Sequence, residues 1–232
     1  MIKYGGHIVG IKCRYPYTYE LCKEYLTCAK AAEFIAEADE REVEKIKKFL
    51  KDMYIRDDVA ESEAIHLSIA ENVLETDELI LHSAVCAVDN TGFGFIARSG
   101  TGKTTHMMLW KELLGERVRI INGDKPLISL KQNGVFASGT PWCGKERYSE
   151  CETVPLKAMA FLERGENNSI VKLTPHEAEV RLFEAVVMSK NMTDNIMPVI
   201  QLVNRFSKSV DFYLLKCNKE LKAAEVAYGV MR

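Results

Sequence analysis

Apolar residues along the chain recur at two spacings, one suited to strands and one to helices, and the switches between them give an α/β reading. Residues 1–15 predict a short strand or hairpin edge, Tyr19 to Leu26 a brief helix, and Glu33 to Ala38 another strand. Asp39 suits a helix N-cap. Val43, Ile46, Phe49 and Leu50 then share one helical face, with charge on the others. Glu63 to Glu75 predicts a second helix, with Ile65, Ile69 and Val73 in a row. Leu79 to Val88 is apolar throughout except at His82 and Ser83, as a buried strand should be. Asp89-Asn90-Thr91-Gly92 supplies turn residues, and Phe93 to Ala97 predicts the next strand. A helix follows from Lys103 to about Leu114, with Gly115 placed to end it.

Val118 to Ile121 predicts a strand closing on Asn122-Gly123-Asp124. Leu127 to Leu130 and Val135 to Ala137 flank Asn133-Gly134, a strong hairpin signal. Leu156 to Leu162 reads as a core strand and Ile170 to Leu173 as a further one. Thr174-Pro175 opens a helix with proline at its first position. Helices are expected at about 192–208 and 219–230, with the strand Phe212 to Leu215 between them. The expected organisation is a small N-terminal α+β portion over residues 1–60 and a nucleotide-binding domain with a mixed sheet over residues 61–232.

Composition narrows the function classes. A net charge of −2 gives no electrostatic reason to expect nucleic acid or an anionic membrane as partner. No apolar run is long enough to span a bilayer, and Met1 to His7 lacks the apolar stretch of a secretory signal. The cytoplasm is therefore the expected compartment. Seven cysteines, scattered and without a CxxC pair, read as reduced thiols packed as small apolar residues.

The chemistry centres on Ala97-Arg98-Ser99-Gly100-Thr101-Gly102-Lys103-Thr104, between a predicted strand and a predicted helix. Except for Ala97 in place of the first glycine, these residues follow the G-x-x-x-x-G-K-[ST] pattern of a P-loop. Glycines let successive N–H groups turn inward around phosphate, and the helix start adds further unpaired N–H groups. Ser99, Gly100, Thr101, Gly102, Lys103, Thr104 and Thr105 are thus expected to hold the phosphates of a nucleoside triphosphate. Lys103 offers a cation to the β- and γ-phosphates, and the Thr104 hydroxyl suits Mg²⁺. Asp124, at the end of a downstream strand, stands where a second metal or catalytic carboxylate belongs. His82 lies on the strand before the loop.

Leu81-His82-Ser83, the glycine loop with Lys103-Thr104, and Asn122-Gly123-Asp124 together resemble the HPr kinase/phosphorylase and phosphoenolpyruvate carboxykinase superfamily. Similarity to uncharacterised HPr-kinase-like P-loop proteins of Firmicutes runs further, through Asp124-Lys125-Pro126-Leu127, Gly139-Thr140-Pro141-Trp142-Cys143-Gly144-Lys145 and Phe161-Leu162-Glu163-Arg164-Gly165. The resemblance implies an HPr kinase C-terminal or carboxykinase-like fold, ATP with Mg²⁺, and transfer of phosphate to a hydroxyl of a protein, peptide or small molecule. It implies catalytic roles for His82, Lys103 and Asp124 and a metal role for Thr104 and Asp124. The chain departs from the family at Gly123, where an acidic pair would have its first aspartate. That departure keeps a second reading open, a nucleotide-binding regulatory module with weak or no turnover. A carboxykinase-type enzyme would need a longer chain. The loop Gly139 to Arg147 admits two readings, one that offers Lys145 and Arg147 to phosphates or an anionic acceptor and Trp142 to a pocket, and one of an ordinary surface loop with a half-buried Trp142.

Overall fold

The N-terminal hairpin forms because Gly5 takes a left-handed backbone (φ +60°) between two short alternating runs. Its strands are β1 (Ile2–Tyr4) and β2 (His7–Ile11), and β3 (Phe34–Ala36) adds to β2 in parallel. This computed structural model describes residues 1–49 and 55–232. Helix α1 (Pro16–Leu21) begins earlier than the pattern suggested, on Pro16, and a 3₁₀ turn over Lys23–Tyr25 replaces the expected second half. Helix α2 (Glu40–Phe49) opens on a reciprocal cap: Asp39 Oδ1 accepts from the Glu42 N–H at 2.8 Å, and Glu42 Oε2 accepts from the Asp39 N–H at 2.9 Å. Val43 is buried; the expected apolar contributions of the Phe49 side chain and of Leu50 lie outside what is described. Helix α3 (Asp57–Leu74) crosses the boundary expected at residue 60, and Ile65, Ile69 and Val73 form its buried row. One core runs from Tyr4 and Val9 through Ile65 and Ile69 to Leu79 and Leu127.

Among the described residues the larger sheet has nine strands. In chain order its first half is β4 (Glu78–Ile80), β5 (Ser83–Val88), β6 (Thr91–Ile96), then helix α4 (Lys103–Leu114), β7 (Val118–Asn122), β8 (Leu127–Lys131) and β9 (Gly134–Ser138). The remainder is β10 (Thr153–Arg164), β11 (Ser169–Lys172), helices α5 (Pro175–Phe183), α6 (Lys190–Asp194) and α7 (Met197–Ser209), β12 (Asp211–Cys217) and α8 (Leu221–Met231). The strand order is β4-β8-β9-β10-β6-β5-β7, with β12 also on β10 and β11 outside β12. Strand β10 bridges two halves. Thr153–Pro155 pair antiparallel with β9, whereas the rest runs parallel to β6 and β12, and a register shift after Leu156 marks the passage. The sheet is therefore mixed and curls along β10. Because β5 is antiparallel to both β6 and β7, the C-terminal ends of β6, β7, β10 and β12 meet the N-terminal end of β5 at one edge.

Two elements differ from the sequence pattern for reasons that bear on that edge. The single strand expected over Leu79–Val88 is two strands with different partners: β4 pairs with β8, and β5 with β6 and β7. The break falls at Leu81-His82, where the His82 N–H donates to the Ala185 carbonyl at 2.7 Å and Leu81 bridges to Val186. The helix expected over 192–208 is likewise two, α6 and α7, with Pro198 in the first turn of α7. A proline deeper in a continuous helix would forfeit a hydrogen bond and clash with the preceding turn. Asp89 and Asn90 both have positive φ, as a two-residue hairpin turn requires, so β6 starts at Thr91.

Candidate functional site

The glycine loop leaves β6 after Ile96 and enters α4 at Lys103, as the sequence predicts. Gly100 (φ +75°) and Gly102 (φ +127°) hold backbone conformations that side-chain-bearing residues avoid. A Cβ at Gly100 would meet nothing within 4 Å, so these glycines set the path of the chain rather than make room for a neighbour. The Thr101 N–H closes the turn onto the Arg98 carbonyl at 3.1 Å. Below the loop, Met107 and Trp110 anchor α4, with the Trp110 ring edge-on to Phe95 at 5.3 Å between centroids. The N–H groups of the first turn of α4 have no carbonyl partner within the helix, which gives this end a partial positive charge.

Three side chains meet beside the loop. Lys103, buried at the start of α4, places Nζ 3.0 Å from His82 Nε2 and donates to the Ala97 carbonyl at 3.0 Å. His82 Nε2 is also 3.1 Å from Asp124 Oδ1. The same nitrogen cannot accept from lysine and donate to aspartate at once; a bare Nε2 faces Lys103, and a protonated one faces Asp124. Asp124 is held by its own turn. Asn122, fully buried, accepts through Oδ1 from the N–H groups of Asp124 (2.8 Å) and Lys125 (2.7 Å), and its Nδ2 donates to the Thr140 carbonyl at 3.1 Å. The Asp124 carbonyl accepts from the Ser83 N–H at 2.9 Å, tying the turn to the start of β5. Lys125 reaches back to Glu63 on α3 at 2.7 Å. Burial depresses the pKa of the Lys103 amine, against the pull of Asp124. For Asp124, burial pushes upward, but the hydrogen bond to His82 and the charges of His82, Lys125 and Lys103 together hold the carboxyl below its ordinary value.

Two cavities flank the loop. The larger, about 600 Å³, has His82, Ala97, Arg98, Arg164 and Arg181 in its wall. The smaller, about 230 Å³, is bounded by Thr105, His106, Leu109, Asn218 and Lys219. Thr101 and Arg164 belong to both, and the Arg164 guanidinium donates to the Gly100 carbonyl at 2.8 Å. His106 is buried and accepts from Trp110 Nε1 at 3.1 Å; burial lowers its pKa to about 4, so the ring is neutral at physiological pH.

Of the residues singled out from sequence, Lys103, His82 and Asp124 come together, while Ser99, Gly100 and Thr105 lie exposed along the loop and its helix start. Thr104 is half-buried in the first turn of α4 and makes no hydrogen bond to Asp124. Among the described residues no group of three or more His, Cys, Asp or Glu side chains is arranged to hold a metal ion unaided. Asp124 and the Thr104 hydroxyl nonetheless fit the donor set of Mg²⁺, which keeps several waters and relies on one or two carboxylates together with substrate phosphates.

The 139–147 loop departs from expectation. Trp142 lines neither of these cavities. It is buried, stacks on His66 with centroids 4.4 Å apart, and donates from Nε1 to Ser62 Oγ at 3.2 Å, because its large apolar ring is worth more in the core than at the surface. Lys145 and Arg147 are exposed. Cys143 is buried, which raises its thiol to about 11 and leaves it inert as a nucleophile. The loop instead packs over the turn that carries Asp124. The Tyr148 carbonyl accepts from the Gly123 N–H at 2.9 Å, and a Cβ on Gly123 would stand 2.9 Å from the Cys143 carbonyl oxygen. Sequence reading gave no role to Arg164 and Arg181. The available signal was Glu163-Arg164, a charged pair closing an apolar strand at the sheet edge where α/β proteins hold their ligands.

No protein-family model matches the chain, and no curated protein is similar to it in sequence. Among solved structures it is similar to the Hpr(Ser) kinase/phosphatase from Coxiella burnetii, at 9% sequence identity and a TM-score of 0.39, over 65% of this chain and 88% of that one. A likeness that distant adds no weight to the geometry.

Proposed function

We propose that this chain is an HPr-kinase-like P-loop phosphotransferase that binds ATP with Mg²⁺ and transfers the γ-phosphoryl group to a hydroxyl. The observation that carries this reading is the contact of Lys103, His82 and Asp124, at 3.0 and 3.1 Å, where the glycine loop opens on the larger cavity. In this reading Ser99 to Thr105 wrap the phosphates with backbone N–H groups, and the smaller cavity takes the nucleoside. Lys103 leaves His82 for the β- and γ-phosphates. Thr104 and Asp124 would hold Mg²⁺, which supplies charge neutralisation on the phosphates when bound. The acceptor oxygen forms its bond to the γ-phosphorus as the bond from phosphorus to the β,γ-bridging oxygen breaks, and ADP leaves with that electron pair. The hydroxyl proton passes to the Asp124 carboxylate, whose ionised form His82 and Lys125 favour against burial. His82, once free of Lys103, orients that carboxylate through a protonated Nε2. The proposed compartment is the cytoplasm, where free thiols such as Cys22 and Cys86 persist.

A second reading, a nucleotide-binding module without turnover, draws on Gly123. The loop over it leaves no space for the carboxylate that the superfamily resemblance implies at that position. ADP formation at saturating Mg·ATP separates the two. A phosphotransferase releases ADP slowly in the wild type and faster with its acceptor, and Asp124→Asn lowers that rate by about 10²–10⁴-fold without loss of fold. Tight Mg·ATP binding with no ADP above the blank, under every acceptor tried, would establish the binding module instead.

A further inference from the structure

We infer that the hydroxyl acceptor is a small anion, a hydroxylated molecule carrying a carboxylate or phosphate group, held in the larger cavity by Arg98, Arg164 and Arg181; this rests on the phosphotransferase reading. The cavity, about 600 Å³, is within the range of small-molecule sites. It has an apolar floor of Ile96 and Phe161. Arg98, Arg164 and Arg181 line it together with His82.

What sets these arginines apart is that three of them line one cavity. Of the other arginines, Arg14, Arg56, Arg117, Arg119 and Arg205 each pair with a carboxylate, while Arg41, Arg147 and Arg232 are exposed and line neither cavity beside the glycine loop. Among the described residues Arg164 and Arg181 have no carboxylate partner. Arg164 gives a hydrogen bond to the Gly100 carbonyl at 2.8 Å and Arg181 one to the Glu177 carbonyl at 3.3 Å, which leaves most of their donors unused. Arg98 lies 4.0 Å from Glu184, too long for a fork-to-fork pair. The cavity's other carboxylate, Glu163, lies 4.0 Å from Lys216. Excess base does not explain the cluster, because the chain as a whole carries a net charge of −2.

Nucleotide phosphates do not account for it either. They have their own donors in the loop N–H groups and Lys103. Arg164, against Gly100, is near enough to the loop to serve them, but Arg181 stands on α5, in the part of the wall that also holds Glu184 and Ala185. A guanidinium in that position suits a planar carboxylate or a phosphate on the acceptor. The acceptor's anion would then be fixed by Arg181 with Arg98 and Arg164, and its hydroxyl turned towards His82 and Asp124.

The test uses the full chain saturated with Mg·ADP, so that the loop is already filled. D-glycerate and glycerol 3-phosphate are titrated calorimetrically beside uncharged glycerol, into wild type and Arg181→Met. At least one anion is expected to bind while glycerol does not, and Arg181→Met is expected to weaken it at least tenfold with Mg·ADP affinity within twofold of wild type. The same anion, incubated with Mg·ATP, should gain one phosphoryl group by mass spectrometry. Absence of anion binding to the Mg·ADP-loaded protein, equal binding of glycerol, or an unchanged affinity in Arg181→Met would overturn the inference while leaving nucleotide binding intact. Failure of Mg·ADP itself to bind would instead remove the reading on which the inference rests.

Discussion

Replacing Gly123 with alanine adds one methyl group to the turn that carries Asp124. Its φ is not in the left-handed region, so the backbone conformation itself admits alanine. The obstacle is steric: the new Cβ would lie 2.9 Å from the Cys143 carbonyl oxygen and 3.4 Å from that of Tyr148. Both obstacles are backbone atoms, so the loop over residues 143–148 must move as a unit. Overpacking of this kind costs about 1–3 kcal/mol. At roughly 2–4 °C per kcal/mol for a chain of this size, the thermal midpoint should fall by about 2–12 °C. Gly123→Asp should fall further, since it adds a second carboxylate beside Asp124 and displaces the same loop, and it should not raise ADP formation. Differential scanning calorimetry and an ADP assay at matched Mg·ATP saturation measure both effects. A Gly123→Ala midpoint equal to wild type would refute the packing argument. A tenfold gain in ADP formation by Gly123→Asp would show that the loop yields and that a missing carboxylate limits turnover.

Two further perturbations test the scaffold. His7 joins Glu33 at 2.8 Å and Glu78 at 2.7 Å, and the hydrogen bond to Glu78, opposed by burial and aided by Glu33, raises its pKa to about 9. The unfolded value is about 6.5, so the stabilisation from protonated His7 is fully present below about pH 6.5 and is lost as pH rises through about 9. The wild-type thermal midpoint should therefore drop across that window and His7→Gln should flatten the profile; equal slopes in the two proteins would contradict the assignment. Trp142→Ala should lower stability in urea unfolding by about 3–5 kcal/mol, as removal of a buried indole does. A loss under about 1 kcal/mol would contradict the buried position and return Trp142 to the pocket-lining role that its loop sequence suggested.

The place of the glycine loop in the fold was legible because its signals are local. Gly100, Gly102 and Lys103 sit between a strand and a helix whose periods are plain in the sequence, and the structure keeps that order. Asp124 was legible as a strand-end carboxylate for the same reason. His82 was harder, since an apolar run with one histidine reads as a single buried strand. Its exposure to the loop depends on the chain leaving β4 for β5 at that residue, and on Ala185, far along the chain, accepting its N–H. Trp142 and Gly123 failed in the opposite way. Each owes its environment to a segment distant in sequence: Trp142 to His66 on α3, Gly123 to the carbonyls of Cys143 and Tyr148. Neighbours in the chain carry no trace of such contacts. Arg164 and Arg181 share a cavity wall only because β10 runs parallel to β6 and α5 returns to the same sheet edge.

The central claim is that the glycine loop holds a nucleoside triphosphate through Lys103. Calorimetric titration of Mg·ATP into wild type and Lys103→Ala tests it most directly, with far-UV circular dichroism to show that both are folded. Lys103 is buried against His82 and the Ala97 carbonyl, and Asp124 keeps His82 at 3.1 Å and the charge of Lys125 when the amine is removed. The account predicts one Mg·ATP site per wild-type chain and an affinity at least about tenfold weaker in Lys103→Ala, the loss of one charge-assisted contact of about 1.5–3 kcal/mol. A folded wild-type chain that takes up no Mg·ATP, or a variant that binds it as tightly as wild type, would contradict the account.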